Sequence, residues 1–97
     1  AYTNQDREGT PIFRIQPLYP RRAALQNIEG FVILQFDITA GGYTDNITVI
    51  QASPPQIFNS SAVQALRKWK YKPKIENGKP VRQKNLKVQL DFNLRDQ

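Results

Sequence analysis

The chain has 97 residues, a formal net charge of +6 and no Cys, His or Met, and a chain of this length forms one domain with a modest core. The missing Cys and His exclude thiolate chemistry, imidazole acid–base catalysis and the common zinc sites. No stretch approaches the ~20 apolar residues of a membrane-spanning helix.

The N-terminal segment, residues 1–10, is mostly polar and predicts the end of a flexible linker, so the folded domain is expected over residues 11–97. It has neither an initiating Met nor a signal-peptide pattern, and we therefore expect the chain to be part of a longer protein. Pro20 then predicts the start of a first helix over residues 21–26, because its missing N–H costs nothing in the first helical turn. Asn27 predicts the left-handed end of that helix.

A β-hairpin is predicted next. Residues 31–39 show alternating apolar side chains, and their second face is partly apolar too, which favours a central strand. Gly41-Gly42 predicts the turn, because glycine permits positive φ. Residues 43–52 return as the second strand, and the proline pair at residues 54–55 ends it.

A second helix is predicted by an apolar stripe at helical spacing, which consists of Phe58, Ala62, Ala65, Leu66 and Trp69. Asn59, Ser60 or Ser61 is expected to cap its start. Pro73 is expected to end it within a turn of Trp69.

The last strand has the clearest alternation in the chain. From Asn85 to Leu94 every second residue is apolar, which predicts one buried and one wet face. The predicted fold is therefore α+β, with two helices packed on a three-stranded antiparallel sheet in the order α-β-β-α-β. The hairpin and the crossover through the second helix give the strand order 2-1-3. The last strand is then at the edge, where its unpaired N–H and C=O groups are a template for another chain.

Catalysis is not expected, because the carboxylates are scattered and no serine has a histidine to activate it. We predict no catalytic residue, no cofactor and no metal site. A basic tract offers an alternative function, single-stranded nucleic-acid binding, because Trp69 and Tyr71 are interleaved with its charges. However, Trp69 also continues the apolar stripe, which favours a position in the core. The basic residues then form a solvated face, and no nucleic-acid partner is predicted. The tract comprises Arg67, Lys68, Lys70, Lys72, Lys74, Lys79, Arg82, Lys84 and Lys87.

Several motifs are specific in combination. They begin with Gln16-Pro17-Leu18-Tyr19-Pro20 and Ala23, continue with Ile28-Glu29-Gly30 before the first long strand, and end with Trp69-x-Tyr71-x-Pro73. Together they resemble one known family, the C-terminal domain of TonB proteins. The resemblance covers nearly all of residues 16–94. The final strand matches in pattern more than in letters, and the connection from Lys72 to Lys84 is longer than in the best-known member.

The resemblance implies a periplasmic domain of a protein anchored in the inner membrane of a Gram-negative bacterium. Such domains grip the TonB box, a short segment of outer-membrane transporters for iron–siderophores, haem or vitamin B12, and an ExbB–ExbD complex supplies energy from the proton gradient. Receptor identity and homodimer formation stay open. In the family the box lies along the last strand, near the Q-P-x-Y-P segment. The implied contact residues are Gln16, Pro17, Leu18, Tyr19, Leu86, Lys87, Val88, Gln89, Leu90, Asp91 and Phe92.

Overall fold

The computed structural model describes residues 2–4 and 10–96. Its elements follow in the order β1 (Tyr2–Asn4), β2 (Thr10–Phe13), α1 (Arg21–Leu25), β3 (Gly30–Ile38), β4 (Thr44–Ser53), α2 (Asn59–Arg67), β5 (Lys70–Lys72), β6 (Lys74–Glu76), β7 (Lys79–Val81) and β8 (Gln83–Phe92), with a 3-10 turn at Leu94–Asp96. Neither helix in this described part is long and apolar enough to cross a membrane.

The main sheet has the order β1-β8-β3-β4, and all its neighbouring strands are antiparallel. Within it β4, β3 and β8 have the predicted 2-1-3 arrangement, with β3 in the centre. The α+β class predicted from the sequence is thus confirmed. β8 begins two residues before the predicted strand and ends at Phe92, so that Leu94 belongs to the 3-10 turn.

The outer edge of β8 differs from the prediction. β1 lies along it and pairs Tyr2, Thr3 and Asn4 with Leu90, Gln89 and Val88. The expectation that the last strand would be the edge is therefore wrong over Val88–Leu90. Side-chain alternation shows which face of a strand is buried but not which backbone edge is paired, and Tyr and Thr are favourable strand residues. These three residues fall in the segment that the sequence analysis assigned to a linker.

The core lies between the sheet and the helices. The whole predicted stripe of α2 is buried, as are the apolar side chains that β3 and β8 direct to the same side. The helix begins one residue after Phe58, and no side chain caps it. The expected cap by Asn59, Ser60 or Ser61 is therefore wrong: Phe58 occupies the cap position because its ring is held in the core, and the three polar residues form the first turn.

Two small antiparallel pairs complete the fold, β2 with β5 and β6 with β7. α2 stops at Arg67, well before Pro73, and the chain turns directly into β5. The β3–β4 turn rests on that strand, with the amide of Tyr71 donating to the carbonyl of Gly42 over 2.8 Å. Gly42 has a φ of +90°, and a Cβ there would lie 2.3 Å from the carbonyl oxygen of Tyr71, so the turn requires glycine at this position.

Candidate functional site

β8 separates the predicted contact residues into two groups. Its apolar members are fully buried in the core and can offer a partner only their backbone; they are Leu86, Val88, Leu90 and Phe92. Lys87, Gln89 and Asp91 lie on the opposite, open face, where the side-chain amide of Gln89 donates to a carboxylate oxygen of Asp91 over 2.7 Å. A partner at this strand would therefore meet a backbone edge with three polar side chains beside it.

The two backbone edges of β8 are paired very differently. The inner edge is hydrogen-bonded to β3 along nearly the whole strand, from Gly30 opposite Phe92 to Ile38 opposite Gln83. On the outer edge, the pairing with described residues is limited to the three positions that face β1. The outer edge thus accepts an added antiparallel strand, and it extends beyond the paired positions in both directions.

Tyr19 connects the first helix to the end of β8. Its ring makes edge contacts with Phe58, 5.5 Å between centroids, and with Phe92, 5.9 Å, and these two rings stack on each other at 4.3 Å. The hydroxyl donates to the carbonyl of Ile28 and lies 3.4 Å from the carbonyl oxygen of Phe92. Burial, with a smaller effect of the nearby Glu29 charge, raises the pKa of Tyr19, so the phenol stays a hydrogen-bond donor.

The remaining residues of the Q-P-x-Y-P segment lie against α2. Gln16, Pro17 and Leu18 line a small cavity of about 70 Å³ together with Ser61, Gln64, Ala65 and Lys68. Pro17 is buried, whereas the side chain of Leu18 is 81% exposed. α2 packs mainly on β4 and β3, so residues 16–18 border the helical layer rather than β8. Within the Q-P-x-Y-P segment, Tyr19 is the residue whose ring and hydroxyl reach β8. The role of these residues in partner binding stays a prediction.

A polar cluster that sequence reasoning missed fixes the start of β8. Asp37 is 8% exposed and accepts hydrogen bonds from the side chain of Asn46 (2.9 Å), the backbone amide of Asn85 (3.0 Å) and the guanidinium of Arg82 (3.2 Å). Arg82 also donates to Asp45. Burial works against the charge of Asp37, but these hydrogen bonds and the Arg82 charge outweigh it and hold its pKa below the ordinary value.

This cluster fixes the backbone at the N-terminal end of β8, just after the connection from β7. Asn85 has a φ of +63°, a left-handed conformation in which its amide meets Asp37. The pairing register of β8 with β3 shifts between Phe36 and Ile38, beside this point. The signal that the sequence offered was Asp37 itself, a carboxylate in a mostly apolar strand, because a buried charge requires partners.

The aromatic residues of the basic tract are not available for base stacking. Trp69 and Tyr71 are each 1% exposed, and the indole N–H of Trp69 donates to the carbonyl of Ile15 over 3.0 Å. Tyr43 is the exposed aromatic nearby, with the Lys70 ammonium over its ring at 5.5 Å. The tract therefore presents charge rather than a stacking platform, which removes the main support for single-stranded nucleic-acid binding.

Comparison with known proteins gives consistent matches. The family model described as the C-terminal part of the Gram-negative bacterial TonB protein matches residues 15–94. Protein TonB of Pseudomonas aeruginosa PAO1 is 35% identical over 83 residues, which is 86% of this chain and 24% of that protein. Protein TonB of Escherichia coli K12 is 42% identical over 67 residues, 69% of this chain and 26% of that protein.

Two solved structures have a similar fold. The solution NMR structure of the Pseudomonas aeruginosa TonB CTD matches with a TM-score of 0.73 and 30% identity, over 96% of this chain and 93% of that one. A structure of the TonB2 protein from Vibrio anguillarum matches with a TM-score of 0.67 and 39% identity, over 92% and 84%. The chain spans about a quarter of the length of the curated relatives. Its sequence motifs, its fold and these matches agree: the chain belongs to the family of Gram-negative bacterial TonB C-terminal domains.

Proposed function

We propose that this chain is the periplasmic receptor-binding domain of a TonB-type energy transducer, and that it grips an extended receptor peptide by strand addition along the outer edge of β8. The observation that carries the proposal is the pairing of β1 with Val88–Leu90, because it is an instance of this edge accepting an antiparallel strand. Burial of every second side chain of β8 supports the proposal. These side chains anchor the extended backbone in the core and do not cover the N–H and C=O groups of its outer edge.

Main-chain pairing suits a domain that must hold and release different receptors. Its hydrogen bonds are made by backbone groups, so many peptide sequences satisfy them. Each bond contributes about 0.5–1.5 kcal/mol net, and ordering the peptide offsets part of the sum. Several such bonds along Leu86–Phe92 give a reversible attachment, with Lys87, Gln89 and Asp91 available for selectivity.

Membership of the family extends the proposal to the full-length protein. There the domain follows an inner-membrane anchor and a periplasmic linker, and an ExbB–ExbD complex transmits the proton-motive force to it. Its partners are outer-membrane transporters for iron–siderophores, haem or vitamin B12. The domain itself has no catalytic role in this proposal; it transmits force through a non-covalent grip.

Peptide titrations followed by NMR test the grip. Synthetic peptides from the N-terminal segments of TonB-dependent transporters are added as the native sequence and as alanine and proline scans. Alanine keeps every backbone donor, whereas proline removes one N–H and distorts the pairing. We expect shifts at residues 87–93 and around Tyr19, with proline far more damaging than alanine.

Charge-removing variants of the domain separate this mode from a purely electrostatic contact. Lys70→Ala and Lys72→Ala each remove one positive charge from the basic tract without touching the edge of β8, and they should leave peptide affinity unchanged. If the shifts map to residues 67–74, or if proline is tolerated as well as alanine, strand addition is wrong.

A further inference from the structure

The edge proposed to receive the receptor peptide already holds a strand of the same chain. We propose that β1 is a built-in competitor for this site, so that a receptor peptide binds by displacing Tyr2–Asn4 from β8. The inference rests on the proposed function, because it assigns a form of regulation to the same edge.

The first argument is overlap. The positions paired with β1 are Val88, Gln89 and Leu90, the middle of the proposed contact region Leu86–Phe92. A strand edge has one row of N–H and C=O groups and pairs with one neighbour at a time. Occupation by β1 and by a peptide in these positions is therefore mutually exclusive.

The second argument is the balance between weak pairing and a short tether. β1 has three residues and correspondingly few hydrogen bonds. The other end of its tether is Thr10, the first residue of β2, which pairs with Lys72 of β5. Such a short connection gives an effective concentration in the millimolar range. A strand that would bind very weakly as a free peptide can thus occupy the edge in cis.

The third argument is the space on either side of β1. The strand β8 runs from Gln83 to Phe92, so its outer edge continues beyond Val88 and beyond Leu90. A longer peptide can pair first at Leu86-Lys87 or Asp91-Phe92 and then replace β1 residue by residue. Peptides that cover only Val88–Leu90 have no such starting point, which makes affinity depend steeply on peptide length.

Releasing β1 should therefore strengthen peptide binding. Neighbouring residues in a strand direct their N–H groups to opposite sides, so the donors that face β8 are either that of Thr3 or those of Tyr2 and Asn4. The double variant Thr3→Pro/Asn4→Pro removes at least one of them in either case. The matched control is Thr3→Ala/Asn4→Ala, which keeps both donors. We expect the proline variant to bind a native transporter peptide about two- to tenfold more tightly than the control, because a larger fraction of edges is free.

Locking β1 in place should have the opposite effect. Thr3 lies directly opposite Gln89, and the natural chain has no cysteine, so Thr3→Cys/Gln89→Cys should form a disulfide under mild oxidation. The control pair Thr3→Cys/Thr48→Cys places the second thiol on β4, the strand at the opposite edge of the sheet from β1. That is about 14 Å away at the usual strand spacing, beyond disulfide reach. The oxidised Gln89 variant should not bind the peptide, and reduction should restore binding.

The results separate the failure of this inference from the failure of the proposed function. If the proline and alanine variants bind the peptide equally and the Thr3–Gln89 disulfide does not form, β1 is no competitor although the edge still binds receptors. If the disulfide forms but no peptide binds any variant, including the proline variant, the proposed function is overturned and the competition with it. Unchanged binding by the locked variant would place the peptide elsewhere on the domain.

Discussion

Trp69→Ala is expected to destabilise the domain strongly. The side chain is 1% exposed, and truncation of a buried Trp costs about 3–5 kcal/mol. The indole N–H donates to the carbonyl of Ile15, and loss of that donor adds about 1–3 kcal/mol if the carbonyl stays buried without a partner. The Arg14 guanidinium over the ring, 5.8 Å from its centroid, adds about 0.5–1 kcal/mol. The total approaches the whole stability of a small domain, about 5–15 kcal/mol.

Urea unfolding followed by far-UV circular dichroism measures this loss. Fluorescence is unsuitable, because Trp69 is the only tryptophan of the chain and the variant removes the signal. Trp69→Phe serves as the matched variant: it keeps an aromatic ring in the core but loses the N–H, so its midpoint should lie between those of the wild type and Trp69→Ala. Full secondary structure in Trp69→Ala with a wild-type midpoint would refute the assignment of this residue to the core.

Two further predictions concern charge. The pKa of Asp37 is held below its ordinary value, so the stability that its charge contributes is fully present above about pH 4 and is lost as the pH falls through the lower folded-state pKa. Urea midpoints measured from neutral to acidic pH should therefore fall more steeply at the acid end for the wild type than for Asp37→Asn. Equal slopes for the two proteins would contradict the stabilising role of the cluster. Binding of single-stranded DNA should be weak and should vanish at ~0.3 M salt, because the aromatic side chains of the tract are buried and only attraction to phosphates remains. Micromolar affinity at that salt concentration would instead support the nucleic-acid-binding alternative.

The periodic parts of the sequence predicted the fold well. Alternation in residues 31–39 and 85–94 identified the two longest-paired strands, and the stripe from Phe58 to Trp69 identified α2 and its buried face. These patterns arise because burial repeats with the period of the backbone, two residues in a strand and 3.6 in a helix. Asn27, predicted to end the first helix in a left-handed conformation, has a φ of +56°, since Asn tolerates that region.

The parts that sequence reasoning missed are set by tertiary partners. A three-residue polar strand such as β1 has no period to recognise, and its pairing depends on an edge some 85 residues away in the chain. The cluster around Asp37 draws its donors from Asn46 in β4, from Arg82 between β7 and β8, and from Asn85 in β8, so no local window contains it. The location of Gln16–Leu18 against α2 likewise depends on packing between distant segments.

The long ladder between β3 and β8 has a mechanical consequence. When tension acts along a strand, all the hydrogen bonds that pair it with its neighbour share the force. A strand that is peeled away from one end loses these hydrogen bonds one at a time. The β3–β8 ladder runs from Gly30 opposite Phe92 to Ile38 opposite Gln83; the β1–β8 ladder has three pairs. Under a pull transmitted through β8, a partner held by a short ladder would detach well before the sheet itself yields. Under the proposed strand addition, the domain would then release a bound peptide without unfolding, and the number of paired residues on the outer edge would set the lifetime of the attachment.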